Sequence, residues 1–240
     1  MNLDRQRHFH DELHEVKVRL LSMSSEAEAA LANAVDALIH RNRDQAETVI
    51  AGDRVIDRME VEIEEMCLNL LALQQPMAKD LRMLMATLKI SNDLERVGDH
   101  AVNIAQSAQR IEGARSVTPE PEIQEMARLA RAMLSDALEA FIRGDAEASR
   151  ALVRRDDEVD AIHRSLFRIL LTYMMEDPHI ISTGMELSLV SRNLERVADL
   201  ATNIAEEVVF LVEGVSIKHH AEDRQDAGNG GTDSVTPVGA

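Results

Sequence analysis

The sequence is poor in most of what a sheet protein, a secreted protein or a membrane protein needs. It has no Trp and one Tyr, and aromatic residues make up 2% of the chain. Such scarcity, with Leu, Ala, Val, Ile and 12 Met left to fill the core, disfavours a β-sandwich. Gly and Pro are sparse, at 10 and 5 in 240 residues, and several fall in the last twenty. The body of the chain therefore has few breakers, which suits long helices. The single cysteine, Cys67, excludes an intrachain disulfide and a thiolate-rich metal site. It reads as a core residue of a long helix. No uncharged apolar run approaches the ~20 residues that span a bilayer. The opening stretch, Met1 to Val16, carries charge where a signal peptide needs an apolar core. The expected compartment is the cytoplasm, without membrane insertion. Positive charge is short as well, with 26 Lys and Arg against 43 Asp and Glu, a net charge of -17. That balance argues against nucleic acid and anionic membrane surfaces as partners, and suits cations and basic protein patches.

What the chain does have is a repeat. Asp53 to Asp57 has a counterpart in Asp156 to Asp160, and Leu94 to Asp99 has one in Leu194 to Asp199. The second match extends to Ser91 with Ser191 and to Asn103-Ile104-Ala105 with Asn203-Ile204-Ala205. Upstream, Ala37 to Asn42 resembles Ala140 to Asp145. The spacing is about one hundred residues throughout, which marks an internal duplication.

Each copy reads as three elongated helices, giving an all-α fold of two tandem three-helix bundles. In the first copy, residues 1–112, one helix is expected from Leu3 to His40 and a turn over Arg41 to Asp44. A short helical stretch then leads into a second helix ending near Gln75, and Pro76 marks a tight connection. The third helix runs from Ala78 to Ile111. Residues 113–121, with Gly, Ser, Thr and two Pro, form a linker. The second copy, residues 122–214, repeats the plan: Glu122 to Arg143, a break at Gly144-Asp145, a helix from Ala146 to Met175, a turn at Asp177-Pro178, and Ile180 to Glu213. The tail, 215–240, is polar and Gly-rich and is expected to be disordered. Val61, Leu68 and Leu71, and Leu81, Leu84, Met85 and Leu88, fall at helical spacing. Met77, Met83 and Met85 read as core filler.

The acids are the chemistry-bearing feature. Asp53 and Asp57, Glu95 and Asp99, Asp156 and Asp160, and Glu195 and Asp199 are all i, i+4 pairs, each on one helix face. Alone, such a pair reads as a solvated face. Two helices joined by a short loop pack antiparallel, however, and residues equally far from the loop lie level. Asp57 with Glu95, and Asp53 with Asp99, are centred on Pro76. Asp160 with Glu195, and Asp156 with Asp199, are centred between Asp177 and Pro178. The pairs lie roughly 28 Å and 34 Å from the turn at ~1.5 Å per residue. Four level carboxylates repel unless protons or a multivalent cation join them. Oxygen donors suit Mg, Ca, Mn, Fe or Zn. Asn103 and Asn203 extend each stripe and offer an amide oxygen. His163 is a possible ligand in the second copy alone, where Glu60 is its counterpart; His100, opposite Leu200, looks incidental. Arg96 and Arg196 should point about 100° away from the adjacent Glu95 and Glu195.

The four (E/D)xxxD pairs, set in Asp93 to Ala105 and Asn193 to Ala205 with Leu70 to Pro76 before them, resemble the PhoU family over about residues 1–215. The resemblance implies a cytoplasmic, non-enzymatic negative regulator of phosphate uptake and phosphate-starvation signalling. It implies partnership with a sensor histidine kinase and with the phosphate ABC transporter through its ATPase subunit. It also implies a homodimer, and iron or zinc, or other divalent ions, on Asp53, Asp57, Glu95, Asp99, Asp156, Asp160, Glu195 and Asp199. Asn193 replaces the acid at Asp93, so Asp93 is not carried over as a ligand. The competing class is an enzyme or store, a carboxylate-bridged di-metal oxidase or iron-storage bundle. That class builds its site with paired Glu-x-x-His motifs, and Asp160-x-x-His163 is the nearest approach on the acid-bearing helices.

Overall fold

The computed structural model describes residues 2–74, 76–111, 113 and 120–217. Seven α-helices account for almost all of them: α1 (Asn2–His40), α2 (Arg43–Gln74), α3 (Lys79–Arg110), α4 (Glu120–Arg143), α5 (Ala146–Val153), α6 (Asp156–Glu176) and α7 (Ile181–Glu213). A single 3-10 turn, Pro178–Ile180, precedes α7. Most of the linker and all but the first residues of the tail lie outside the described residues.

The long helices follow from heptad-like patterning. In α1 the buried residues Leu13, Val16, Leu20, Met23, Ala27, Leu31, Ala34 and Leu38 follow one another three or four apart, the spacing that keeps one stripe on one helix face. The central pair, α3 and α7, bury the same set twice. Ile90, Leu94, Val97, Ala101, Ile104 and Ala105 of α3 match Val190, Leu194, Val197, Ala201, Ile204 and Ala205 of α7, all inaccessible to solvent. These helices pack on each other, with α1 and α2 against α3, and α4, α5 and α6 against α7. One continuous hydrophobic cluster runs through both copies, so the tandem bundles share a core along α3 and α7. Two contacts give their direction: Lys89 meets Glu207 and Arg110 meets Glu186, so α3 and α7 are antiparallel.

The first turn of each copy is the same device with different residues. Asn42 caps α2 by accepting from the Gln45 backbone N–H at 3.1 Å, and its own N–H bonds the Ala37 carbonyl at 2.9 Å. Asp145 caps α5 by accepting from the Ala148 N–H at 2.9 Å, and its N–H bonds the Ala140 carbonyl at 2.9 Å. The preceding residue is left-handed in both, Arg41 at φ 52° and Gly144 at φ 64°. Glycine adopts this conformation freely; arginine does so against its Cβ.

Two expectations are corrected. The second helix was expected to be divided in the first copy and continuous in the second, and the structure has the reverse. α2 is unbroken from Arg43 to Gln74, whereas Arg154 and Arg155 separate α5 from α6. Asp156, Asp157 and Glu158 occupy the first turn of α6, where acids favour a helix start, and Arg155 is tied sideways to Asp136 of α4. The break adds no residue between Asp145 and Asp156 relative to Asn42 and Asp53, so the acid register survives it. Met77 and Met85 are also not core filler. Met77 is 80% exposed at the α2–α3 turn and Met85 40%, while Met83 packs partly buried on the core. Cys67 is fully buried in α2, and burial pushes its thiol up to about 12.

Candidate metal centre

On α2 the core stripe contains Val49, Ile56, Met59 and Ile63, and Asp53, Asp57 and Glu60 border it. On α3, Glu95 and Asp99 border the stripe of Leu94, Gly98 and Ala101. The two borders meet where the helices come close. A Cβ on Gly98 would lie 3.0 Å from Ile56 Cδ1 and 3.2 Å from Asp53 Oδ1. Asp53 and Glu95 therefore sit at the rim of the core, partly desolvated, while Asp57 and Asp99 are exposed.

Their electrostatics show that they face one another. Glu95 is pushed up to about 7, first by burial, then by repulsion from Asp99, Glu60, Asp57 and Asp53. Asp53 is raised by burial, then by Asp57 and Asp99. In the second copy Asp156 is pushed up to about 6 by burial, then by Asp199, Asp160, Glu195 and Asp157. Burial is also the main cause that raises Glu195 and Asp199, with Arg196 opposing it in both. These repulsions cross from α2 to α3 in the first copy and from α6 to α7 in the second. Among the described residues, no three His, Cys, Asp or Glu side chains converge as a ready-made metal cage. The carboxylates stand within repulsive reach of each other without meeting at a point.

The two copies differ in their surroundings. Among the described residues, no cation opposes the rise of Glu95 or Asp53. In the second copy Arg196 does not point away as expected: it bonds Asp199 at 3.0 Å and lies 3.6 Å from Glu195. Position i+3 puts Arg196 and Asp199 on one face, which outweighs the divergence from its neighbour in sequence. Arg96 of the first copy also reaches this site. It lines, with Asp156, Asp199, Thr202 and Asn203, an open cleft of about 230 Å³. Thr202 Oγ1, in the same cleft, is buried with no hydrogen-bond partner among the described residues. Asn203 thus joins the acids of its copy. Asn103 lines a different groove, between α3 and α7. His163 takes the structural role, its Nδ1 2.6 Å from Ser191 Oγ. Asp93 is buried and pairs with Arg96 at 3.5 Å.

The PhoU domain model matches this chain twice, over residues 20–108 and 123–208. The chain belongs to the PhoU family. Curated relatives include the phosphate-specific transport system accessory protein PhoU homolog of Aquifex aeolicus, 41% identical over 208 residues, 87% of this chain and 94% of the relative. The homolog of that name from Zymomonas mobilis is 38% identical over 206 residues, 86% of this chain and 87% of its own. Among solved structures, PhoU from Pseudomonas aeruginosa matches with a TM-score of 0.84 at 38% identity, covering 86% of this chain and 100% of that one. The phosphate transport system regulatory protein PhoU from Streptococcus pneumoniae matches with a TM-score of 0.82 at 29% identity, covering 88% and 99%. Each matched span contains the acid pairs of one copy.

Two participants escaped the sequence reading. Glu60 repels Glu95 and accepts a hydrogen bond from Asn92 at 3.2 Å. Its signal was its alignment with His163. His100, taken as incidental, places Nδ1 2.9 Å from Asn193 Oδ1 and so joins α3 to α7. Its signal was a polar residue where the other copy buries Leu200.

Proposed function

We propose that this protein is a non-enzymatic, metal-binding negative regulator of phosphate uptake and phosphate-starvation signalling. It acts in the cytoplasm, between the phosphate ABC transporter, through its ATPase subunit, and a sensor histidine kinase. The observation that carries the reading is the double PhoU match, with relatives named as accessory or regulatory proteins of phosphate transport. No described helix is long and apolar enough to cross a membrane, so transport itself would fall to a partner.

The metal part of the reading rests on donor chemistry. Carboxylates that repel one another at neutral pH gain by sharing a cation, and their oxygens admit iron or zinc, with Mg, Mn and Ca as lesser options. Asp53, Asp57, Glu95 and Asp99 would hold it in the first copy, and Asp156, Asp160, Glu195, Asp199 and Asn203 in the second. Asn103 is the weaker ligand, since it lines the α3–α7 groove. The cation would draw side chains together from two helix faces, which makes it a clamp on each hairpin. A homodimer belongs to the same reading. Exposed Leu73 and Met77 at one hairpin tip, and Met175 and Ile181 at the other, offer apolar surface for it.

The test is genetic. A strain lacking the protein should express phosphate-starvation genes in phosphate-rich medium, and the wild-type copy should silence them. A strain whose phosphate response is unchanged by the deletion sinks the regulator reading.

A further inference from the structure

The antiparallel pair α3 and α7 leaves a groove of about 490 Å³ that neither acid site uses fully. Four arginines line it, Arg96 and Arg110 from α3 and Arg192 and Arg196 from α7. In a chain with a net charge of -17, four guanidinium groups in one groove run against the acidic background. Three of them have carboxylate partners: Arg110 with Glu186 at 3.1 Å, Arg96 with Asp93 at 3.5 Å, and Arg196 with Asp199 at 3.0 Å. Asp93 and Glu186 are largely covered while Arg96 and Arg110 are about half exposed, so the guanidinium groups stand at the mouth. Each contact occupies part of a fork of five N–H donors and leaves the rest for a ligand. Arg192 is exposed and makes no ion pair among the described residues.

The floor is fixed. Asn193 donates its amide to the Leu189 carbonyl at 2.8 Å, which leaves its Oδ1 to accept from His100 Nδ1 at 2.9 Å. This bond joins the two helices between the arginine rows, so their spacing is set by the protein and not by a ligand. Leu189 is the single apolar side chain of the lining. A protein partner is usually gripped by apolar and aromatic anchors, which the groove lacks. Planar forks in a polar cleft match tetrahedral oxyanions instead.

We propose that the α3–α7 groove binds a phosphate-class oxyanion, held by Arg96, Arg192 and Arg196. This deepens the regulator reading by giving it a ligand, but it rests on the groove alone, and Arg192 belongs to neither acid site. The anion is either free orthophosphate or a phosphate group of a larger molecule.

Titration calorimetry on the full chain tests it, with orthophosphate and with tripolyphosphate as probes, in magnesium buffer and in chelator. Wild type, Arg192→Ala and Arg96→Ala are compared, with melting curves to confirm the fold. Saturable binding of either probe is expected, weakened by salt and reduced about tenfold in Arg192→Ala, the loss of one charge-assisted contact. Binding of orthophosphate identifies the free anion, and binding of tripolyphosphate alone identifies a larger donor. No saturable binding in either buffer, or binding that both variants keep at wild-type strength, overturns the proposal. Binding that holds while the deletion strain responds normally would remove the regulator reading and leave the site.

Discussion

Lys89 of α3 and Glu207 of α7 are 3.0 Å apart across the contact between the two copies. Glu207 is 3% exposed, Lys89 reaches both of its oxygens, and the ammonium also lies 5.5 Å from the Phe210 ring centre. The pair is one of the contacts, with Arg110–Glu186 and His100–Asn193, that hold the antiparallel register of α3 and α7. Lys89→Met removes the ammonium and keeps most of the stem. The variant is expected to lose about 1.5–3 kcal/mol in denaturant unfolding, the range for a hydrogen bond to a charged group. The loss should exceed that of Arg128→Met, whose partner Glu125 is an exposed neighbour on the same helix.

The raised acids give a pH dependence with a definite sign. Glu95 has an ordinary value of 4.5 and is pushed up to about 7 in the folded chain, and Asp156 moves from 3.8 to about 6. A group whose folded value is raised binds its proton more tightly when folded. Its contribution is fully present below the unfolded value and is lost as pH rises through the folded one. Metal-free protein should therefore lose thermal stability from these groups between about pH 4 and 7. Glu95→Gln should flatten that slope and raise the melting temperature of metal-free protein at pH 8. Scans across pH in the presence of chelator check both.

The same groups give metal binding the opposite slope. Ligands must shed their protons, so cation affinity should rise with pH over that window, with protons released on binding. Added zinc should raise the wild-type melting temperature by a margin that grows from pH 5 to pH 7.5. Glu95→Gln should shrink that margin. Thus one substitution is expected to stabilise the metal-free chain and weaken the loaded one, and a purely structural role for Glu95 would not give opposite signs.

The two first turns offer a stability test inside one molecule. Arg41 holds the left-handed conformation that Gly144 holds in the other copy. Arg41→Gly is expected to stabilise by about 0.5–1 kcal/mol, after glycine's own chain entropy is set against the Cβ strain. Gly144→Ala should destabilise by a similar amount or more. Chemical denaturation of both variants measures it.

Much of the fold was legible because the chain is duplicated and the acids are counted from the turns. Pro76 and Asp177-Pro178 sufficed to set Asp57 against Glu95 and Asp160 against Glu195, since antiparallel helices conserve that count. What was not legible lies between the copies. The Arg96 approach to Asp199 and the His100 bond to Asn193 depend on how α3 meets α7, and spacing within one repeat does not encode that. The break at Arg154 goes with a tertiary contact, the tie of Arg155 to Asp136 of α4, which spacing along the chain does not encode. The exposure of Met77 and Met85 was missed because periodicity names a face without saying how far along the helix its neighbour extends.

The most direct test of the central claim is the metal content of untagged protein, measured by mass spectrometry after gel filtration. Wild type is compared with a variant combining Asp57→Ala, Asp99→Ala, Asp160→Ala and Asp199→Ala. The account predicts that wild type carries bound iron or zinc in stoichiometric amounts and that the folded variant has lost it. Equal trace metal in both proteins would contradict the account.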